Sequence, residues 1–288
     1  MGRLVSGRIF LFGDSHIQAI KEALDARGSE GTALPMEARR LLKSKRIGET
    51  AEPAPLPLFS RFTLSVLKAF RSRNSDPNVV IVGDTTFEDG MKLAGRLKPE
   101  DVFVCVIGGN QHAVFSTIRH PVPFDFVMPD HPEFITSGPE LIPYRTLYGY
   151  FLTALRDGDG QMIAALRRST SARMFHLVAP PPKRDNNWIE QHHDTLFASE
   201  GIASSGVSEP ALRMKFWHLQ NDALAQICGE LGIELIGPPS GACDEFGFLL
   251  PEYYAGDATH ANPLYGELVL RQLEEMFQSR RKPTRMAS

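Results

Sequence analysis

Five short apolar runs punctuate the chain: "RIFLF" (8–12), "NVVIV" (78–82), "DVFVCVI" (101–107), "RMFHLV" (173–178) and "IELI" (233–236). Each is bounded by turn-forming residues and is rich in Val, Ile or Phe, the pattern of strands buried on both faces. Between the runs the apolar positions change to helical spacing. This predicts helices over 16–26, 61–72, 88–97, 145–168, 209–231 and 263–279. The last is the clearest, with Leu264, Leu268, Leu273 and Phe277 recurring near one face. Strand–helix alternation of this kind predicts a three-layer α/β/α sandwich with a five-stranded parallel sheet, flavodoxin-like in organisation. No internal repeat or linker is evident, so residues 1–288 read as a single domain. Two Pro-rich stretches without clear period, about 28–60 and 112–143, interrupt the alternation and read as insertions.

Composition adds limits. The 288 residues carry a formal net charge of −3, which implies no general affinity for nucleic acid or anionic membrane. The basic "SRRKPTR" near the end reads as a solvated tail. No run reaches the length of a membrane span, and "MGRLVSG" leads into the first strand without an apolar leader, so the expected location is cytoplasmic. Cys105, Cys228 and Cys243 are odd in number and lack CxxC spacing, which argues against a disulfide framework. Oligomeric state is not legible.

In open α/β sheets ligands collect beyond the carboxyl ends of the strands. The first run ends in Gly13-Asp14-Ser15-His16, the second in Gly83-Asp84-Thr85-Thr86 and the third in Gly108-Gly109-Asn110-Gln111-His112. "APPPKRDNN" follows the fourth, and "GDATHANPLYG" lies just before the last helix. Ser15 is a candidate nucleophile that would need a base. His260 could supply it, with Asp257, three residues earlier, holding the imidazole in the right tautomer. The backbone N–H groups of Ser15 and Gly83 and the side-chain amide of Asn110 could serve a developing oxyanion. Glycine at 83 is expected to allow substrate to approach the backbone closely.

The blocks "FGDSH", "VGDTT", "GGNQH" and "DATHAN" resemble, in order and context, the four motifs of SGNH hydrolases, or GDSL-type esterases. The resemblance spans the chain from the first strand to the last helix. It implies a serine esterase acting on an O-acyl ester, in the first place an acetyl ester of a carbohydrate. Ser15, His260 and Asp257 would be its triad, Gly83 and Asn110 its oxyanion donors, and no cofactor or metal would be needed. The implied partner is a small-molecule or carbohydrate ester. Two departures bear on substrate: Gln111 stands where aspartate is frequent, and His16 where leucine is common. An acyltransferase or a non-catalytic glycan-binding protein would use the same fold.

One competing reading takes Asp14, His16, Asp84 and His112 as metal ligands of a phosphoesterase resembling the calcineurin-like enzymes. It leaves "DATHAN" without a role, and Phe87 stands where a further ligand is expected. Taken singly, Ser15 reads as a helix N-cap, His176 as a core histidine and Trp217 as core. His192 and His193 read as solvated. Trp188 is the better candidate for a substrate wall, and His112 and Arg119 are weaker candidates for substrate contact.

Overall fold

The computed structural model describes residues 7–28, 34–46, 79–130, 140–193, 197–198 and 200–279. The central sheet has five parallel strands: β1 (Ile9–Gly13), β2 (Met36–Arg40), β5 (Val102–Val106), β8 (Arg173–Leu177) and β9 (Glu234–Ile236), in the order β2-β1-β5-β8-β9. Two smaller pairs accompany it. β3 (Lys43–Arg46) and β4 (Val79–Val82) form an antiparallel arm, and β6 (Phe124–Asp125) pairs with β7 (Glu140–Leu141).

The helices are α1 (Ile17–Arg27), α2 (Phe87–Gly95), α3 (Gln111–Ser116), α4 (Tyr144–Asp157), α5 (Asp159–Ser169), α6 (Asn186–Gln191), α7 (Ile202–Ser205), α8 (Pro210–Glu230) and α9 (Pro263–Ser279). The expected helix at 145–168 is two helices broken at Gly158, which leaves helical geometry and closes α4 through its N–H to Ala154 O. The helix expected at 61–72 lies outside the described residues, as do most residues of the stretch at 28–60.

Side-chain alternation divides the core into two layers. Phe10, Phe12, Phe103, Cys105 and Met174 face α2, α4, α5 and α8, packing on Phe151, Ile163, Leu166 and Phe216. Ile9, Leu11, Val104, Val106, Phe175 and Leu177 face α1 and α9, packing on Ile17, Ile20, Val269 and Leu273. The three-layer sandwich expected from the pattern is the fold.

One strand assignment needs correction. The run at 78–82 is not a sheet strand but half of the arm, and its place is taken by Met36–Arg40, inside the stretch read as an insertion. β2 is an edge strand with one covered face, where Ala38 is buried and Met36 packs, while Glu37 and Arg39 pair with each other. An edge strand kept charged against further pairing does not advertise itself by hydrophobicity.

Candidate active site

Chain order and sheet order together locate the site. From β1 the chain passes outward to β2, then returns across β1 to β5, so the crossovers diverge beyond the carboxyl ends of β1 and β5. That switch point is where open α/β sheets bind ligands. Asp14-Ser15-His16 enters it from β1, and Gly108-Gly109-Asn110 from β5.

Ser15 sits half-buried in the turn between β1 and α1. The N-cap of α1 is His16, and no side-chain capping bond is made there, so the capping role open to Ser15 in sequence is not taken up. Asp257 and His260 form a bonded pair. Asp257 Oδ2 lies 2.7 Å from His260 Nδ1, while Oδ1 accepts the backbone N–H of Thr259 (2.9 Å) and of His260 (2.7 Å). Burial alone would raise the Asp257 carboxyl, but these hydrogen bonds and the imidazole beside it hold it well below the usual carboxylate range. A carboxylate can only accept, so Nδ1 carries a proton, and in the neutral ring the lone pair is at Nε2. That Nε2 is buried without a hydrogen-bond partner among the described residues.

The pair stands on a built support. Asn262 caps α9 by accepting from Leu264 and Tyr265 N–H, with Pro263 at the first helical position, and its amide donates to Glu252 O and Tyr254 O. Beneath the loop lies Lys183, its side chain wholly buried. Its Nζ donates to Ala255 O (2.8 Å) and to Asp257 O, and stands 3.9 Å from Asp257 Oδ1. Burial pulls the ammonium down to about 8, with Asp257 opposing.

Asn110 is exposed at the end of β5, and its Oδ1 lies 2.9 Å from His16 Nε2. The His16 ring is buried and lies 4.8 Å, centroid to centroid, from the His260 ring. Gly83 is brought to the same rim by the arm: its α-carbon faces Leu41, whose N–H bonds Gly13 O at the end of β1. Its φ is 113°, and a Cβ there would lie 2.5 Å from Leu41 O. The glycine therefore answers to the arm's closure on β2, a reason different from the substrate approach expected of it.

Three of the four donors of the metal reading, Asp14, His16 and Asp84, hold partners of their own through their side chains, while Nδ1 of His112 has no hydrogen-bond partner among the described residues. Asp84 accepts from Arg40 N, Thr85 Oγ and Lys21. Asp14 accepts from Gly108 N and lies 3.6 Å from Lys43. His16 holds Asn110, and His112 is buried on α3, its backbone N–H bonded to Gln220. Among the described residues no three His, Cys, Asp or Glu side chains converge as a ligand set.

No protein-family model and no curated protein matches the chain. Solved structures do. A carbohydrate acetylesterase from Sinorhizobium meliloti is 12% identical, covers 95% of this chain and 99% of its own, and gives a TM-score of 0.41. A GDSL-like lipase from Bacteroides thetaiotaomicron is 10% identical over 97% of this chain and 93% of its own, with a TM-score of 0.42. The periplasmic domain of a Salmonella ser. Paratyphi A lipopolysaccharide acetyltransferase is 14% identical over 95% and 84%, with a TM-score of 0.42. At these identities and TM-scores the likeness carries no argument. The functional reading rests on the site's own residues.

The remaining candidates fall into place around that site. Trp188, the candidate for a substrate wall, is half-buried and packs against Tyr254 (5.6 Å) and Lys183 (5.9 Å), beside the loop that carries Asp257. His192 stacks on it at 3.9 Å, and His193 is half-buried. Trp217 is core, its indole N–H donating to Ala179 O. His176 is buried in β8, with Nδ1 unpaired among the described residues. Arg119 donates to Val207 O. The three cysteines are free thiols, and no described helix is long and apolar enough to cross a membrane. Lys183 was not legible as part of the site, since a lone lysine after three prolines carries no pattern. His16 stood out in sequence as a metal-ligand candidate and as a departure from the motif, not as a partner of Asn110.

Proposed function

We propose that this chain is a serine esterase of the SGNH type, with Ser15 as nucleophile, His260 as base and Asp257 as its orienting carboxylate. The observation that carries the reading is the Asp257–His260 pair, with Nδ1 committed to the carboxylate and Nε2 left unpaired. That is the protonation pattern a general base requires. Ser15 Oγ would attack the ester carbonyl carbon while His260 Nε2 takes its proton. The oxyanion would be met by the Ser15 and Gly83 N–H groups and the Asn110 amide. Collapse expels the alcohol, which receives the proton from His260 and leaves an acyl group on Ser15. Water then repeats the sequence and releases the acid; a hydroxyl acceptor in place of water would make the same residues an acyltransferase. We put a short O-acyl ester first as substrate, an acetyl ester of a carbohydrate in particular.

The test is hydrolysis of p-nitrophenyl acetate by wild type and Ser15→Ala, with and without EDTA. The reading expects activity indifferent to EDTA and lowered by at least ~10³-fold in Ser15→Ala. A fluorophosphonate probe should label wild type and not the variant. Activity lost to EDTA and kept in Ser15→Ala would overturn it.

A further inference from the structure

His16 lies in the site yet has no part in the chemistry so far assigned, and it is built in with unusual care. Its ring lies between the Gly109-Asn110 segment and His260. A Cβ on residue 109 would lie 2.2 Å from His16 Cδ2, so Gly109 is the space into which the ring fits. On another side stands His260, 4.8 Å away. Asp14 precedes it from β1, and Asp257 and His112 complete the titratable groups that act on it or feel it. Burial, reinforced by His260, pulls the His16 imidazole down to about 4, so it is neutral at ordinary pH.

A neutral imidazole has one N–H. If Nε2 carries it, the bond to Asn110 Oδ1 is satisfied, and the lone pair left over is at Nδ1, which has no partner among the described residues. The reversed arrangement would bury an N–H donor at Nδ1 with no acceptor, and orphaned buried donors are the rarer and costlier case. With its oxygen held, the Asn110 amide has its NH2 as the free end. We propose that His16 is a positioning residue: through Nε2–H it fixes the Asn110 amide so that its NH2, and not its oxygen, is presented to the oxyanion. The proposal rests on the serine-esterase reading. It also accounts for the choice of a weakly basic donor, because a lysine or arginine here would set a permanent charge beside His260, which must itself become cationic during turnover. A histidine buried to neutrality donates without opposing that step.

The experiment separates hydrogen bonding from packing. His16→Phe keeps a ring over Gly109 and beside His260 but has no N–H; His16→Gln places an amide N–H near the position of Nε2. Removing an oxyanion donor outright costs about 10²–10³-fold in kcat, and misorienting it should cost less. His16→Phe is therefore expected to lower kcat by about 10-fold with KM nearly unchanged, and His16→Gln to recover most of it. In an Asn110→Ala background, His16→Phe should cost nothing further. Losses that multiply instead, or a Gln variant no better than Phe, would overturn the proposal. Imidazole-nitrogen NMR on the full chain reads the tautomer without turnover. It should find His16 protonated at Nε2, with a signal that moves in Asn110→Ala, and an Nδ1-protonated ring would sink the idea even with esterase activity intact. Retention of activity in Ser15→Ala would sink the esterase reading by itself and leave the tautomer result standing.

Discussion

A carboxylate that accepts two backbone N–H groups as well as an imidazole cannot turn away from that imidazole. Asp257 is such a carboxylate, and the loop geometry that makes it so depends on Lys183, which holds the carbonyls of Ala255 and Asp257 from below. Two residue-scale predictions follow from these bonds. Asp257→Asn keeps the shape but replaces the acceptor that fixes the tautomer, and kcat for acetyl ester hydrolysis should fall by about 10⁴-fold. Lys183→Met should take the ammonium donor from two half-buried carbonyls and lower kcat by about 10-fold, KM changing less. In wild type the rate should decline as pH rises through about 8, where Lys183 loses its proton, and Lys183→Met should lack that decline. The unfolded chain holds this proton up to 10.5 and the folded one only to about 8. This group's own contribution therefore makes folding more favourable as pH rises between those values, so urea titration across the same window should show no loss of stability from Lys183 itself.

At the scale of elements, α8 is where the loops of the site are tied down. Arg213, Lys215 and Gln220 are all buried on it. Gln220 accepts from His112 N and donates to Gly108 O, so it grips both sides of Asn110. Arg213 donates to Ser208 O, Lys183 O, Arg184 O and Asn186 Oδ1. Lys215 pairs with Asp125 on β6 at 2.6 Å, both side chains almost wholly enclosed, and so anchors the excursion at 112–143. The extent of α8 was legible almost to the residue from the helical spacing of its apolar positions, 209–231 expected against Pro210–Glu230. Its role was not, because a lysine or arginine in a helical pattern reads as solvent-facing, and only the partner brought by another element makes burial tolerable. Breaking such a pair by removing one member strands a buried charge. Lys215→Met should lower unfolding free energy by about 3–5 kcal/mol in urea titration, and Lys215→Met with Asp125→Leu should regain most of it. A loss equal in the single and double variants would mean the pair contributes packing alone.

Over the whole molecule, residues more than two hundred positions apart meet: the His16 and His260 rings lie 4.8 Å apart, and the packing of the first and last helices holds their two segments together. α1 begins just after Ser15 and α9 just after His260, and the two helices lie directly against each other in the layer that covers one sheet face. The order of the motif blocks was legible because each follows a strand or precedes a helix that local pattern identifies. The charged edge strand Met36–Arg40 and the arm of 43–46 with 79–82 were not, because both depend on pairing between distant segments. The α1–α9 contact is of that second kind and turns on one position. A Cβ at Gly266 would lie 2.1 Å from Ala19 O, a backbone atom in α1 that cannot swing aside. Gly266→Ala should therefore force the helices apart, lowering stability by about 1–3 kcal/mol and disturbing the spacing of Ser15 and His260, seen as a fall in kcat. Gly149 is the matched control: it lies within α4, is exposed, and a Cβ there would meet nothing within 4 Å. Gly149→Ala should stabilise by about 0.5–1 kcal/mol and leave kcat unchanged, because it gains helix propensity without displacing a neighbour. If Gly266→Ala behaved like Gly149→Ala in thermal unfolding and in turnover, the spacing of the site would have to be set by the sheet alone.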